Sequence, residues 1–156
     1  MTSSGSTLLF GAIPAKLKPS ASEKRELVRF LHGVCQQVAA ARPFVCLLAD
    51  DAHLQRLNRD FLGHDYPTDV LSFPETSTDQ AGEVAISLER AAAQAAAFGH
   101  SCVDEVKILM LHGVLHLNGF DHENGDGKMA REEKRWRTEF HLPETLITRS
   151  KRRGAA

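Results

Sequence analysis

The sequence lacks any hydrophobic run that is long enough to span a membrane. No apolar stretch in the 156 residues approaches the roughly 20 residues that a transmembrane helix needs. The apolar run over residues 8–13 is short, follows no positive charge and meets Pro14, so it indicates a first strand rather than a signal peptide. These features predict a cytoplasmic protein with no membrane partner.

Cysteine is scarce, and its distribution argues against two kinds of stabilising site. The three cysteines, Cys35, Cys46 and Cys102, are odd in number and far apart. They therefore predict neither a disulfide framework nor a cysteine-rich zinc site. We expect small, buried, apolar side chains in a reducing compartment.

The chain also lacks a large net charge, since its formal net charge is only −1. Overall charge therefore gives no support for nucleic-acid binding, and no DNA partner is predicted. The charges are nevertheless uneven. Residues 128–153 carry nine Lys and Arg against four Glu, whereas the preceding residues carry ten against 16 Asp and Glu. This basic section can contact phosphates, or it can form a solvated helix face followed by a frayed tail. The charge distribution alone favours the second interpretation.

Length and composition indicate one domain. A chain of 156 residues with 42% hydrophobic and 25% charged residues has the size and mix of a single globular domain. We predict one domain over residues 1–149 and a disordered basic tail over residues 150–156. Strand-like and helix-like segments follow one another irregularly. This order predicts an α+β fold in which a small mixed four-stranded sheet packs with about five helices.

Local patterns position these elements along the chain. Ser20 and Glu23 form a capping-box pattern ahead of an apolar helical face, and Asp50 or Asp51 can cap the next helix. Apolar runs and alternation predict strands over residues 8–13, 44–48, 70–73 and 84–88. Helical periodicity and capping residues predict further helices over residues 89–98, 106–117 and 128–140.

The helix over residues 106–117 carries the most informative side chains. It is apolar on almost every face, so it belongs at the centre of the protein, and it places His112 and His116 one turn apart on the same face. Gly119 can end this helix, and His122 follows His116 by six residues. If the three imidazole rings were buried separately, the nitrogen atoms of each ring would need another hydrogen-bonding partner. Three imidazoles with one open position are usual for catalytic zinc, so we predict one zinc ion at His112, His116 and His122.

The same string overlaps the His-Glu-x-x-His-x-x-Gly-x-x-His pattern of metzincin proteases. The ligand spacing and Gly119 match, but Gly113 occupies the position of the glutamate. A zinc protease uses that carboxylate to move a proton from water to the leaving amine. Its absence argues against peptide hydrolysis and favours a reaction with a different proton path.

The histidine string, followed by Glu123, closely resembles the signature of the YbeY family of bacterial rRNA-maturation endoribonucleases. A second block resembles the other hallmark of that family, LNRDF at residues 57–61 followed by PTDVLSFP at residues 67–74. The strand beginning at Gly82 is also similar, with Glu83 in place of the usual Asp. The resemblance covers about residues 44–140 of the chain.

This resemblance implies a single-strand-specific, metal-dependent endoribonuclease in the cytoplasm, with one zinc bound by His112, His116 and His122. It implies action in ribosomal RNA processing, notably at the 3′ end of small-subunit rRNA, and in ribosome quality control. The implied partners are single-stranded RNA, ribosomal RNA and the ribosome or its small subunit. The chain departs from the family at Leu62, where an arginine is usual. Arg59 can lie on nearly the same helix face as Leu62. Whether Arg59 takes over the role of the usual arginine stays open.

Other polar and aromatic residues near these motifs have two interpretations each. Asp121 can orient a ligand imidazole or simply form a turn after Gly119. Thr68, Asp69 and Ser72 can line the cleft, although strand and turn chemistry alone explains them. Trp136 can stack on a base, but its helical spacing favours a place in the core.

The residues alone leave open which groups are catalytic and which bind substrate. Attack on the phosphodiester by water and attack by the RNA 2′-hydroxyl both suit the motif, and nickel can replace zinc at such ligands. A metallohydrolase of another substrate is one alternative function. A non-catalytic ribosome-associated factor with a structural zinc is the other.

Overall fold

The fold is built on one mixed sheet, seen in a computed structural model that describes residues 4–76, 79–120 and 127–143. The four strands are β1 (Thr7–Phe10), β2 (Phe44–Ala49), β3 (Val70–Pro74) and β4 (Gly82–Ser87). They lie in the order β1-β2-β4-β3. β2 pairs in parallel with β1 and β4, whereas β3 runs antiparallel to β4 at one edge. The predicted mixed four-stranded sheet is confirmed.

Helices cover both faces of this sheet. Within the described residues the α-helices are α1 (Ala21–Gln37), α2 (Asp51–Leu62), α3 (Leu88–Phe98), α4 (Cys102–Leu117) and α5 (Lys128–Glu139). Five helices and a small mixed sheet confirm the predicted α+β class. No helix in these ranges has both the length and the apolar character needed to cross a bilayer.

Local capping explains where the helices begin. At α1, the backbone N–H of Glu23 donates to Ser20 Oγ at 3.2 Å, and the backbone N–H of Ser20 donates to Glu23 Oε1 at 2.8 Å. These two bonds complete the predicted capping box. Asp50 rather than Asp51 caps α2, since Asp50 Oδ1 accepts from the backbone N–H of His53 at 2.8 Å.

The sheet separates two apolar clusters. The main core lies on the face that packs against α1 and α4, and it includes Cys46 and Leu48 of β2. The smaller cluster lies on the other face, where Leu54 of α2 packs with Ala85 and Leu71. Helix α4 contacts α1, α3, α5 and two strands, and this central position confirms its predicted burial.

Two predicted strands extend too far at their C-terminal ends. The first strand ends at Phe10 rather than at residue 13, because the chain bends after Gly11 ahead of Pro14. The strand predicted over residues 84–88 ends at Ser87, because Ser87 Oγ accepts from the backbone N–H of Arg90 and caps α3. Leu88 is therefore the first residue of α3, although its apolar side chain continues the strand alternation.

The three cysteines are free thiols, as the sequence predicts. Cys35 and Cys46 are fully buried in the main core, and Cys102 is half-buried. Burial raises the pKa of the Cys46 thiol to about 12, because an apolar interior disfavours the thiolate. Cys46 therefore serves as a small packing residue.

Candidate metal centre

Helix α4 brings two of the three predicted ligands together. The Nε2 atoms of His112 and His116 lie 3.0 Å apart, with the ring planes inclined at 71°. Two imidazole nitrogens on one tetrahedral zinc, each at about 2.0–2.1 Å, lie roughly 3.3 Å apart. The observed separation fits joint coordination, and it also fits an N–H···N hydrogen bond between the rings.

The paired rings border an open cleft of about 320 Å³ between α4 and the edge strand β3. This volume lies at the lower end of the range for ligand pockets. From β3, Ser72 supplies a polar group to the cleft, whereas Val70, Leu71 and Pro74 are apolar. The described lining thus combines imidazoles with an apolar wall and one hydroxyl.

A buried carboxylate from α5 fixes one of the rings. His112 Nδ1 donates to Glu133 Oε1, and these side chains are 5% and 4% exposed. Because an ionised carboxylate only accepts hydrogen bonds, this contact places the His112 proton on Nδ1. The Nε2 atom then presents its lone pair beside His116. Carboxylates orient metal-binding histidines in this way, so the donor set fits the predicted zinc.

The third predicted ligand lies beyond the described residues. Gly119 adopts φ 91° directly after α4, a left-handed conformation that releases the chain from the helix. The described residues pass from Phe120 to Gly127, so His122 and the neighbouring Asp121 fall outside them. Among the described residues, no three His, Cys, Asp or Glu side chains form a metal-binding group. The three-histidine site stays a prediction.

Gly113 faces the sheet rather than the cleft. A Cβ atom built there lies 2.6 Å from Val84 Cγ1 and 3.2 Å from Ser72 Oγ. Ser72 Oγ also donates to the Gly113 carbonyl at 2.8 Å, which ties β3 to α4. Side-chain space at this position is therefore already filled. The missing metzincin glutamate reflects close packing between helix and sheet.

We expect alanine at Gly113 and alanine at Gly33 to change stability in opposite directions. At Gly113, the new Cβ overlaps Val84, and such overpacking costs about 1–3 kcal/mol. At Gly33, inside α1, the nearest atom to a new Cβ is Phe140 Cε1 at 3.7 Å. Alanine there should stabilise the helix by about 0.5–1 kcal/mol. Urea denaturation of both variants measures the difference, and destabilisation by Gly33→Ala as large as that by Gly113→Ala would contradict it.

The other predicted cleft residues divide into different roles. Ser72 lines the cleft, whereas Thr68 and Asp69 are absent from its described lining. The Asp69 carboxylate accepts from Gln94 Nε2 at 3.2 Å, which links the start of β3 to α3. Trp136 packs against the main core and stacks on Phe140 at 5.8 Å, so its predicted place in the core is confirmed.

Arg59 and Leu62 lie on α2, which packs against the opposite face of the sheet from α4. Both side chains are exposed, and Arg59 Nε donates to Asp60 Oδ1 at 3.0 Å. Neither residue is part of the described cleft lining. The question whether Arg59 replaces the usual family arginine therefore stays open.

The sequence interpretation missed Glu133 and its neighbour Arg137. Both residues are buried on the same face of α5 as Met129. The spacing Met129-Glu133-Arg137 repeats every four residues, which places the three side chains on one stripe. An acid and a base aligned with a buried methionine could have indicated a buried ion pair.

The geometry defines an α+β protein with an open cleft between a central histidine-bearing helix and a sheet edge. The family model for Endoribonuclease YbeY matches residues 18–141. The chain belongs to the YbeY endoribonuclease family, as its motifs predict.

Individual relatives agree with this assignment. The Endoribonuclease YbeY of Solibacter usitatus is 51% identical over 145 residues, which cover 93% of this chain and 95% of that protein. The Endoribonuclease YbeY of Sulfurovum sp. is 41% identical, with 70% of this chain and 80% of that protein covered. The solution structure of TM1509 from Thermotoga maritima matches with a TM-score of 0.58 and 25% identity, covering 86% of this chain and 91% of that one.

Proposed function

We propose that this protein is a metal-dependent endoribonuclease that cleaves single-stranded RNA, with one zinc ion bound by His112, His116 and His122. Its role would be ribosomal RNA processing, including 3′-end maturation of small-subunit rRNA, and ribosome quality control in the cytoplasm. The observation that carries the proposal is the convergence of His112 and His116 on one cleft, with His112 oriented by Glu133. The family membership supports RNA as the substrate.

A bound zinc would act as a Lewis acid on the phosphoryl oxygen and lower the pKa of a nearby water molecule. Glu133 would keep the His112 ring in one tautomer and one orientation during each turnover. Ser72 is placed at the cleft to donate a hydrogen bond when its hydroxyl leaves the Gly113 carbonyl. The apolar residues of β3 would form one side of the cleft, against which the RNA strand could pack beside the histidines.

The size and position of the cleft favour a single strand over a duplex. A cavity of about 320 Å³ at a sheet edge suits a flexible chain whose nucleotides can separate from one another. Double-stranded RNA is a rigid A-form helix with stacked bases and a narrow major groove. A paired strand holds its phosphodiesters in this fixed geometry, so we expect it to adapt to the cleft less readily than a single strand does.

The proposal predicts which substrates the purified protein cleaves. We expect cleavage of a single-stranded RNA, much slower cleavage of the same RNA annealed to its complement, and no cleavage of an unstructured peptide. A chelator should stop the reaction, and added zinc should restore it. Gel analysis of the labelled substrates measures these rates.

Two results would favour the alternative functions. Peptide cleavage with intact RNA would indicate a metallohydrolase of another substrate class. Zinc binding without cleavage of either substrate would indicate a structural metal in a non-catalytic factor. Equal rates on single-stranded and duplex RNA would remove the single-strand preference but leave the nuclease activity in place.

A further inference from the structure

Behind the histidine pair, α5 supplies a buried arginine that the proposed chemistry does not contact. Arg137 Nη2 donates to Glu133 Oε2 at 3.3 Å, and the two side chains are 2% and 4% exposed. The other carboxylate oxygen, Oε1, accepts from His112 Nδ1. A continuous polar chain therefore runs from Arg137 through Glu133 to the ring at the cleft.

Stability alone is a weak explanation for this arrangement. Removing two charges from water is expensive, and well-packed apolar side chains of similar size often stabilise a core as well or better. Arg137 is among the largest fully buried side chains of the described residues, and a methionine would fill much of the same volume. The arginine contributes something that methionine lacks, namely a fixed donor to a specific carboxylate oxygen.

We infer that Arg137 is a positioning residue for the histidine pair and acts on His112 through Glu133. By donating to Oε2, Arg137 holds the carboxylate in the rotamer that directs Oε1 at His112 Nδ1. The ring then keeps its proton on Nδ1 and its Nε2 lone pair beside His116. This inference rests on the proposed function for its metal-binding consequence, whereas its consequence for the His112 tautomer concerns the metal-free protein.

The decisive variant is Arg137→Met, and the matched control is Arg135→Met on the same helix. The Arg135 side chain is 62% exposed and lies over the Trp136 ring at 4.6 Å, so its replacement removes the same charge without touching Glu133. We expect Arg137→Met to weaken zinc binding by about 10–100-fold, the usual effect of losing a group that orients a ligand. Zinc titration against a competing chelator measures the affinity.

A second readout does not require any metal. Nitrogen-15 NMR of the metal-free protein reports which ring nitrogen of His112 carries the proton. Wild type and Arg135→Met should show the proton on Nδ1, and Arg137→Met should show a mixture of tautomers. An unchanged tautomer together with unchanged zinc affinity in Arg137→Met would overturn the inference.

A double-mutant cycle separates positioning from general destabilisation. If Arg137 acts through Glu133, then Arg137→Met should have little further effect on zinc affinity in a Glu133→Gln background. Additive losses would show that Arg137 acts independently of Glu133 and would also overturn the inference. If Arg137→Met fails to fold, Arg137→Lys takes its place in the cycle, because lysine keeps the positive charge but lacks the planar fork that fixes the carboxylate.

The same measurements distinguish failure of the proposed function from failure of the inference about Arg137. Wild-type protein that binds zinc but cleaves no RNA would contradict the nuclease proposal while the zinc and NMR measurements still test Arg137. Wild-type protein that binds no zinc would contradict the metal site, and the His112 tautomer in Arg137→Met would then decide the inference by itself.

Discussion

Replacing His116 with alanine should reduce RNA cleavage by about a thousandfold or more. The imidazole of His116 lies beside that of His112 at the cleft, and its loss removes one of three proposed ligands. The proposed zinc contributes several kcal/mol to transition-state stabilisation, and each 1.36 kcal/mol corresponds to about tenfold in rate. Cleavage rates of a labelled single-stranded RNA measure the effect.

His64→Ala is the matched control for this prediction. His64 is exposed in the turn after α2, where its ring lies near Tyr66 at 5.5 Å, and it is not part of the described cleft lining. An exposed substitution of this kind usually changes the stability by no more than about 0.5 kcal/mol, and we expect the cleavage rate to stay close to that of the wild type. Undiminished cleavage by His116→Ala would contradict the proposed site and would point to a contaminating nuclease.

Replacing Glu105 with alanine should have a large effect on folding. Glu105 is fully buried in the first turn of α4, and its Oε1 lies 2.6 Å from His100 Nε2. Removing one partner of a buried hydrogen bond leaves the other group unsatisfied, which typically costs about 1–3 kcal/mol. Since a domain is stable by only about 5–15 kcal/mol, we expect a substantial decrease in the urea midpoint.

Asp104→Ala provides the comparison in the same turn of α4. Asp104 is only half-buried, and an acidic side chain near a helix N-terminus contributes about 0.3–1 kcal/mol. The variant His100→Ala/Glu105→Ala should lose less than the sum of its single changes, because the two side chains share one contact. A loss below about 1 kcal/mol for Glu105→Ala would contradict the importance of this buried pair.

The family resemblance and the fold class depend on local features that a sequence displays directly. The capping box of Ser20 and Glu23, and the four-residue spacing of His112 and His116, each involve neighbours within one helical turn. Their geometry follows from backbone periodicity, so both appear in the structure as predicted. The incorrect end of β4 at residue 88 has the same origin, because an apolar residue suits both a strand and the first turn of the following helix.

The sequence by itself determined the order of most helices and strands, the central helix and its pair of adjacent imidazoles. These depend on hydrophobic periodicity and capping, which act over a few neighbouring residues. Only the tertiary structure brought Glu133 against His112, 21 residues away in the chain, and packed Gly113 against Val84 and Ser72. Such contacts depend on how whole elements dock, and local spacing carries no information about which faces meet.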